Sequence, residues 1–378
     1  MDRIAVVKIG ARITINNSST SAGTGDAVNV INLLAGAGFK VDAYTTILEK
    51  DEIPKNFNLV DINTEYTAIN DKGYDALVVL NGNANFFGGA EDRNVLLTYN
   101  IINNFKGKVY YIITDPALTL KQIWKSVNNK PWGNKYNESD INITRNDIDI
   151  ITQIADLKAA KSLNEKNNIY INDVHYFPFE KYHLYTSDAL SVSDQFDYDI
   201  SYGGTFRSGR REDDLIKFYF GYPDDIKVEI FGKIAEKDFK PEKIKTLSKP
   251  IFNKAIKYTE FRNKMNKSIA TVIVGDTIYK KIDFMAQRIY ECIQAGNILF
   301  IDKSYDKNMR VFTDKNLRDI CYVNDRKDVI ERIHEIKHNT SIIEQIVEAQ
   351  RKDVKIDFDE YLSNLATILK GWWFNWKK

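Results

Sequence analysis

Short apolar runs, each closing on a small or polar residue and followed by a loop and a stretch of helical spacing, recur along this chain. Residues 4–9 close at Gly10, 76–80 at Asn81-Gly82, and 109–113 at Thr114-Asp115-Pro116. The pattern restarts at 198–202 and repeats at 227–231 before Gly232, at 269–274 before Gly275-Asp276, and at 298–301 before Asp302. Such runs suit strands buried on both faces, as in a parallel sheet flanked by helices. The recurrence predicts an α/β protein. In open parallel sheets ligands bind beyond the carboxyl ends of the strands, so chemistry is expected at the residues that follow each run.

The two sets of strands predict two α/β units of similar size. A chain of 378 residues, 43% of them hydrophobic, can fill more than one core. The break between the units falls in 167–195, a segment rich in Tyr, His and Asp without a sustained period. We expect an N-terminal domain over 1–180, a second over 181–351, and a tail over 352–378. Helices are expected at 26–37, 94–105, 157–165, 212–220, 284–295, 327–337, 341–351 and 356–370. The tail ends in Gly371-Trp372-Trp373-Phe374-Asn375-Trp376, an aromatic cluster expected to dock on the body of the protein.

Charge is balanced, with 53 Lys+Arg against 52 Asp+Glu, so no global field announces a polyanion partner. Cys292 and Cys321 are the only cysteines and sit in apolar surroundings, which speaks for a reducing compartment and against a disulfide framework. No apolar run approaches the roughly 20 residues of a spanning helix. A cytoplasmic protein without membrane contact is expected.

The stretch Tyr202-Gly203-Gly204-Thr205-Phe206-Arg207-Ser208-Gly209-Arg210-Arg211-Glu212 follows a strand and opens a helix. Glycines let backbone approach a ligand, and arginines beside a helix start favour phosphate. It reads either as a diphosphate clamp or as a tight turn with solvated arginines. Asp115 follows a buried-type strand, where a carboxylate can take a proton from an attacking hydroxyl, or else cap a turn. Asp26 either caps the helix expected there or reaches into the same site. Asn85-Phe86-Phe87-Gly88-Gly89 either packs under its loop or offers a surface to a base. Arg288 and Glu291, three apart, share a helix face; they form a surface ion pair or read the base and ribose of a nucleotide, with Gly275-Asp276 and Tyr279 nearby. His334 and His338, one turn apart, look like a solvated face, so no metal site is expected. Walker, Gly-x-Gly-x-x-Gly, nucleophile-elbow and deaminase motifs are missing.

Taken together, these stretches resemble a known family. The Tyr202–Glu212 stretch closely resembles the nucleotide-sugar loop of the DNA β-glucosyltransferases of T-even-type bacteriophages. Asn85 to Gly89, Tyr110-Tyr111-Ile112-Ile113-Thr114-Asp115, Lys130-Pro131-Trp132, and Ile273-Val274-Gly275-Asp276 with Tyr279, Arg288 and Glu291 look like its other landmarks, in the same order. The resemblance runs from Met1 to about Arg351 and weakens in the tail.

The resemblance implies a GT-B fold: two Rossmann-like domains facing a central cleft, with the C-terminal helix crossing back to the first. It implies an inverting transfer of glucose from UDP-glucose to the hydroxymethyl group of 5-hydroxymethylcytosine in double-stranded DNA, in the cytoplasm of an infected bacterium. The alternative is a GT-B transferase with another UDP-sugar or another acceptor, such as 5-hydroxymethyluracil, a small molecule or a glycan. Carried over by position, Asp115 resembles the general base, and Asp26 stands where the family has a glutamate. Gly204, Thr205, Arg207 and Arg211 match the diphosphate binders, with Thr205 in place of a serine. Gly232, Lys254, Asp276, Tyr279, Arg288 and Glu291 complete the implied donor site, and Asn83, Asn85, Phe86 and Phe87 face the implied DNA acceptor. Divalent Mg or Mn is compatible with this reading but not required by it, and a monomer is expected. The chain departs from the pattern at Asn253-Lys254-Ala255, where the family has Gly-Lys, and at Asn81-Gly82-Asn83-Ala84, which lacks the family's paired serines.

Overall fold

The computed structural model describes residues 2–8, 22–45, 57–61, 69–80, 100–114, 144–164, 170–186, 188–206, 211–257 and 260–371. The chain forms two compact units, one of residues 1–182 with 357–378, the other of 183–356.

The first unit is built on β1 (Arg3–Lys8), β2 (Lys40–Thr45), β3 (Asn58–Asp61), β4 (Ala76–Leu80), β5 (Lys108–Ile113), β6 (Ile148–Thr152) and β7 (Ile171–Tyr176). They lie in the order β3-β2-β1-β4-β5-β6-β7, with every neighbouring pair parallel. β4, at the middle of the sheet, is apolar and buried at every position, as suits a strand covered on both faces. β2, β3 and β7 escaped the sequence reading. β7 is an edge strand with exposed Asn172 and Asp173, and so carries no apolar run. Within β2, Asp42 is buried and held by Arg3 at 2.6 Å, Tyr74 at 2.6 Å and Asn58 at 2.8 Å. Burial alone would raise its pKa; these partners outweigh burial and keep the carboxyl below its ordinary value.

The helix Ala22–Gly36 begins four residues earlier than expected, so Asp26 lies inside it and does not cap it. The helix Phe358–Lys370 rejoins the first unit after the chain has built the second. Asp357 caps its start through the backbone N–H groups of Asp359 and Glu360. Tyr361 donates to the Pro178 carbonyl at 3.0 Å, and Tyr110 of β5 donates to the Leu369 carbonyl at 3.2 Å. The ring of Tyr361 also packs on Phe177, 4.7 Å between centroids. Those contacts are what bring the C-terminal helix back, as the fold class requires.

The second unit holds β8 (Tyr198–Thr205), β9 (Val228–Lys233), β10 (Ile251–Asn253), β11 (Ser268–Ile273), β12 (Ile298–Asp302) and β13 (Tyr322–Val323). Their order is β10-β9-β8-β11-β12-β13, again all parallel. This is a doubly wound Rossmann order, and the direction of winding reverses between β8 and β11. The helix expected over 284–295 begins four residues later, at Arg288–Ala295, and a separate short helix, Thr277–Ile282, precedes it where none is expected. Asp283 ends that short helix in a left-handed conformation, φ 55°. Both cysteines are buried and free.

Candidate nucleotide-sugar site

The switch point of the second sheet gathers most of the described donor residues. β8 runs three residues beyond the expected end, so Gly203, Gly204 and Thr205 are strand residues, paired to β9 as far as Thr205 opposite Lys233. Gly204 lies opposite Gly232. Gly232 has φ 128°, and a Cβ there would collide with the Gly204 carbonyl. A side chain at Gly204 would meet the Tyr202 hydroxyl at 2.8 Å, and one at Gly203 would run into the rings of Phe261 and Phe231. The glycines let two strand ends close over an aromatic floor, a use of missing side chains that needs glycine specifically. The missing side chain of Gly232 is thus accounted for by its packing on Gly204.

Arg211 precedes the helix Glu212–Tyr219, and its side chain is only 13% exposed. Its Nε lies 3.3 Å from Asp276 Oδ1, and one terminal nitrogen donates to the Tyr202 hydroxyl at 2.8 Å. Burial opposes the guanidinium charge, but Tyr202 and Asp276 more than offset it and raise the pKa above its ordinary value. Asp276 itself is fully buried and stands at the start of the helix Thr277–Ile282, just past β11. Gly275 before it allows the Tyr305 ring to press against the backbone. One turn further on, Tyr279 is buried with its ring 4.6 Å from Phe284.

The helix Arg288–Ala295 supplies the next pair. Arg288 reaches Glu291 at 2.8 Å, and Glu291 is 4% exposed, so this is no solvated surface pair. Burial raises the Glu291 pKa against the pull of Arg288 and Arg262. His183 sits in the same field, fully buried. Burial, assisted by the charges of Arg288 and Arg262, lowers its pKa to about 3, so the ring stays neutral. A lysine, Lys280, ties the elements behind the site together. It bonds Asp214 at 2.7 Å, Asp302 at 3.0 Å and Ser304 at 2.9 Å, joining the helix that Arg211 begins to the one that Asp276 begins and to the end of β12.

Gly204, Arg211, Gly232, Asp276, Tyr279, Arg288 and Glu291 therefore share the second unit, and Gly204, Arg211 and Asp276 share one sheet end. Thr205 is exposed at the tip of β8. Lys254 is exposed just past β10. Asp115, Arg207, Asn83, Asn85, Phe86, Phe87, the Lys130-Pro131-Trp132 landmark and the Trp-rich end lie outside the described residues, as does the side chain of Asp26. Thr114, the residue before Asp115, is buried at the carboxyl end of β5. The sequence reading did not single out Tyr202, Phe261 or His183. Tyr202 left one signal: two residues before Gly204 on a strand, it faces the same way.

Among the described residues no group of three or more His, Cys, Asp or Glu side chains is placed to hold a metal ion. His334 is instead bonded to Asp225 at 3.0 Å.

Two doubly wound parallel sheets in one chain, the second with an arginine and carboxylate site at its switch point, are the make-up of a GT-B glycosyltransferase. Residues 2–183 match the family model described as Bacteriophage T4 beta-glucosyltransferase. The chain is 30% identical over 349 residues to the DNA beta-glucosyltransferase of Enterobacteria phage T4, covering 92% of this chain and 93% of the relative. Among solved structures it resembles T4 phage BGT in complex with UDP and Mn2+, with a TM-score of 0.78 and 26% identity over 96% of this chain and 98% of the other. T4 phage BGT in complex with its UDP-glucose substrate matches equally well, with a TM-score of 0.78 and 25% identity over 98% of each chain. The chain belongs to the DNA β-glucosyltransferase family.

Proposed function

We propose that the protein is an inverting glucosyltransferase that moves glucose from UDP-glucose to the hydroxymethyl group of 5-hydroxymethylcytosine in double-stranded DNA. The observation that carries this reading is the buried Arg211–Asp276 pair beside the Gly204–Gly232 strand ends, in a chain of this family. Arg211, with Arg207, would hold the diphosphate, and charged hydrogen bonds there are worth about 1.5–3 kcal/mol each. Arg288 and Glu291 would take the uracil edge and the ribose hydroxyls. Gly204 and Thr205 would approach the phosphates from β8, with Tyr279 and Lys254 as further donor-side contacts.

On the acceptor side, the target base would leave the duplex, helped by Asn83, Asn85, Phe86 and Phe87. Asp115 would accept the proton of the hydroxymethyl group as its oxygen attacks the anomeric carbon. The bond from that carbon to the diphosphate breaks on the opposite face, the electron pair leaves with UDP, and configuration inverts. Asp26 is one residue assigned to the sugar. A divalent Mg or Mn ion is compatible with this reading and not required by it. Work on DNA in the cytoplasm of an infected cell, as a monomer, completes the reading. No described helix is long and apolar enough to cross a membrane.

The test is incubation with UDP-glucose and duplexes carrying 5-hydroxymethylcytosine, 5-hydroxymethyluracil or unmodified bases, read by nucleoside mass spectrometry. Glucosylated 5-hydroxymethylcytosine is expected. Transfer to 5-hydroxymethyluracil alone would reassign the acceptor, and transfer to no duplex would remove DNA from the reading. Asp115→Ala should abolish transfer while UDP still binds.

A further inference from the structure

We infer that Tyr202 is a positioning residue of the donor site, one that sets the direction of the Arg211 guanidinium and the height of the Gly204 backbone through a single phenol group. The inference rests on the reading above, in which Arg211 meets the diphosphate. Tyr202 is 5% exposed, and its hydroxyl accepts from a terminal nitrogen of Arg211 at 2.8 Å. The same phenol lies against Gly204, where an added Cβ would meet its hydroxyl at 2.8 Å and its ring at 2.9 Å. One side chain therefore touches both parts of the clamp.

The phenol is itself held from behind. Its ring meets the Tyr219 ring edge-on, with centroids 5.2 Å apart. Tyr219 is fixed in turn, its hydroxyl donating to the Val272 carbonyl at 2.5 Å and accepting from the Val272 N–H at 2.9 Å. Tyr202 is thus braced against β11, the strand that delivers Asp276. Asp276 takes Arg211 from the other side, at Nε. The hydrogen bond at a terminal nitrogen sets the direction of the guanidinium fork and the Asp276 charge beside Nε holds it there, and a fork so held loses little freedom when a phosphate binds. The inference gives the diphosphate the remaining terminal nitrogen.

The experiment compares wild type, Tyr202→Phe, Arg211→Ala and the double variant, titrating each by calorimetry with UDP and with uridine, which lacks the diphosphate. Tyr202→Phe keeps the ring on Tyr219 and removes only the hydroxyl. We expect its UDP affinity to fall on the order of 5–10-fold with uridine affinity unchanged, a loss that disappears when Arg211 is already alanine. Equal weakening of UDP and uridine, or the same loss in the Arg211→Ala background, would mean general damage and overturn the inference. So would undiminished UDP affinity. If wild type itself shows no affinity for UDP, the donor reading fails instead, a separate outcome seen in the first titration.

Discussion

The guanidinium carbon of Arg288 stands 3.6 Å from the centre of the Phe261 ring, while a terminal nitrogen of the same group holds Glu291 at 2.8 Å. The ring fixes the guanidinium on one side and the carboxylate on another. Phe261→Leu keeps an apolar filler behind Gly203 but removes the aromatic face. A cation–π contact of this kind contributes about 0.5–2 kcal/mol. UDP affinity by calorimetry should fall roughly 3–10-fold, with affinity for pyrophosphate, which lacks the nucleoside, unaltered.

Gly232→Ala forces a side chain against the Gly204 carbonyl at a left-handed φ of 128°. Strain of this sort costs on the order of 1–3 kcal/mol even before the strand ends separate. Urea unfolding should show the second unit destabilised by at least that much, and UDP binding should weaken with it. A fully stable variant would contradict the close pairing of β8 and β9.

His183 makes stability sensitive to mild acid. Its pKa in the folded chain is about 3, below the ordinary value of about 6.5 that it regains on unfolding. The unfolded chain therefore binds the extra proton first. Stability is complete above about pH 6.5 and declines as pH falls toward 3, by up to about 1.4 kcal/mol per pH unit. Thermal melts from pH 7.5 to 4.5 should show this decline, and His183→Gln should flatten it.

Below about pH 4 a second decline is expected from carboxylates held beneath their ordinary range. At Asp302 burial favours the proton, but Ser304 and Lys280 outweigh it; at Asp42, Tyr74, Asn58 and Arg3 do the same. Both contribute stability above the unfolded carboxylate pKa of about 3.9 that is lost as pH falls through their lower folded values. Asp42→Asn should reduce the acid slope of the first unit alone, as followed by hydrogen exchange on β1 and β2.

Leu365, fully buried on the C-terminal helix, tests the docking of that element. Leu365→Ala should destabilise the first unit by about 2–5 kcal/mol, measured by urea unfolding. Little change would mean that the helix packs only through its hydroxyl contacts to Pro178 and from Tyr110.

Where a strand lies at the middle of a sheet, its sequence announces it. The apolar run Ala76–Leu80 coincides with β4 to the residue because both its faces are buried. β10 is three residues long with Ile251 exposed, and β7 alternates irregularly, so neither makes an apolar run. The three-residue spacing marks Arg288 and Glu291 as a pair, the position past an apolar strand marks Asp276, and the family resemblance picks Gly204 and Arg211 out of their stretch. Tyr202 and Phe261 carry no such mark, because an aromatic beside a strand looks like core until its partner is seen to be an arginine.

The return of residues 357–370 to the first unit sets an order of events during synthesis. The second unit is one continuous piece of chain and can close as soon as its own residues have left the ribosome. The first cannot, because it lacks a layer until synthesis has passed through the whole of the other. The element that begins first is thus completed last, and its apolar face must wait uncovered for most of translation. A chain cut after residue 356 would leave that face permanently open, so the first unit should be the one that associates or is degraded when synthesis stops short.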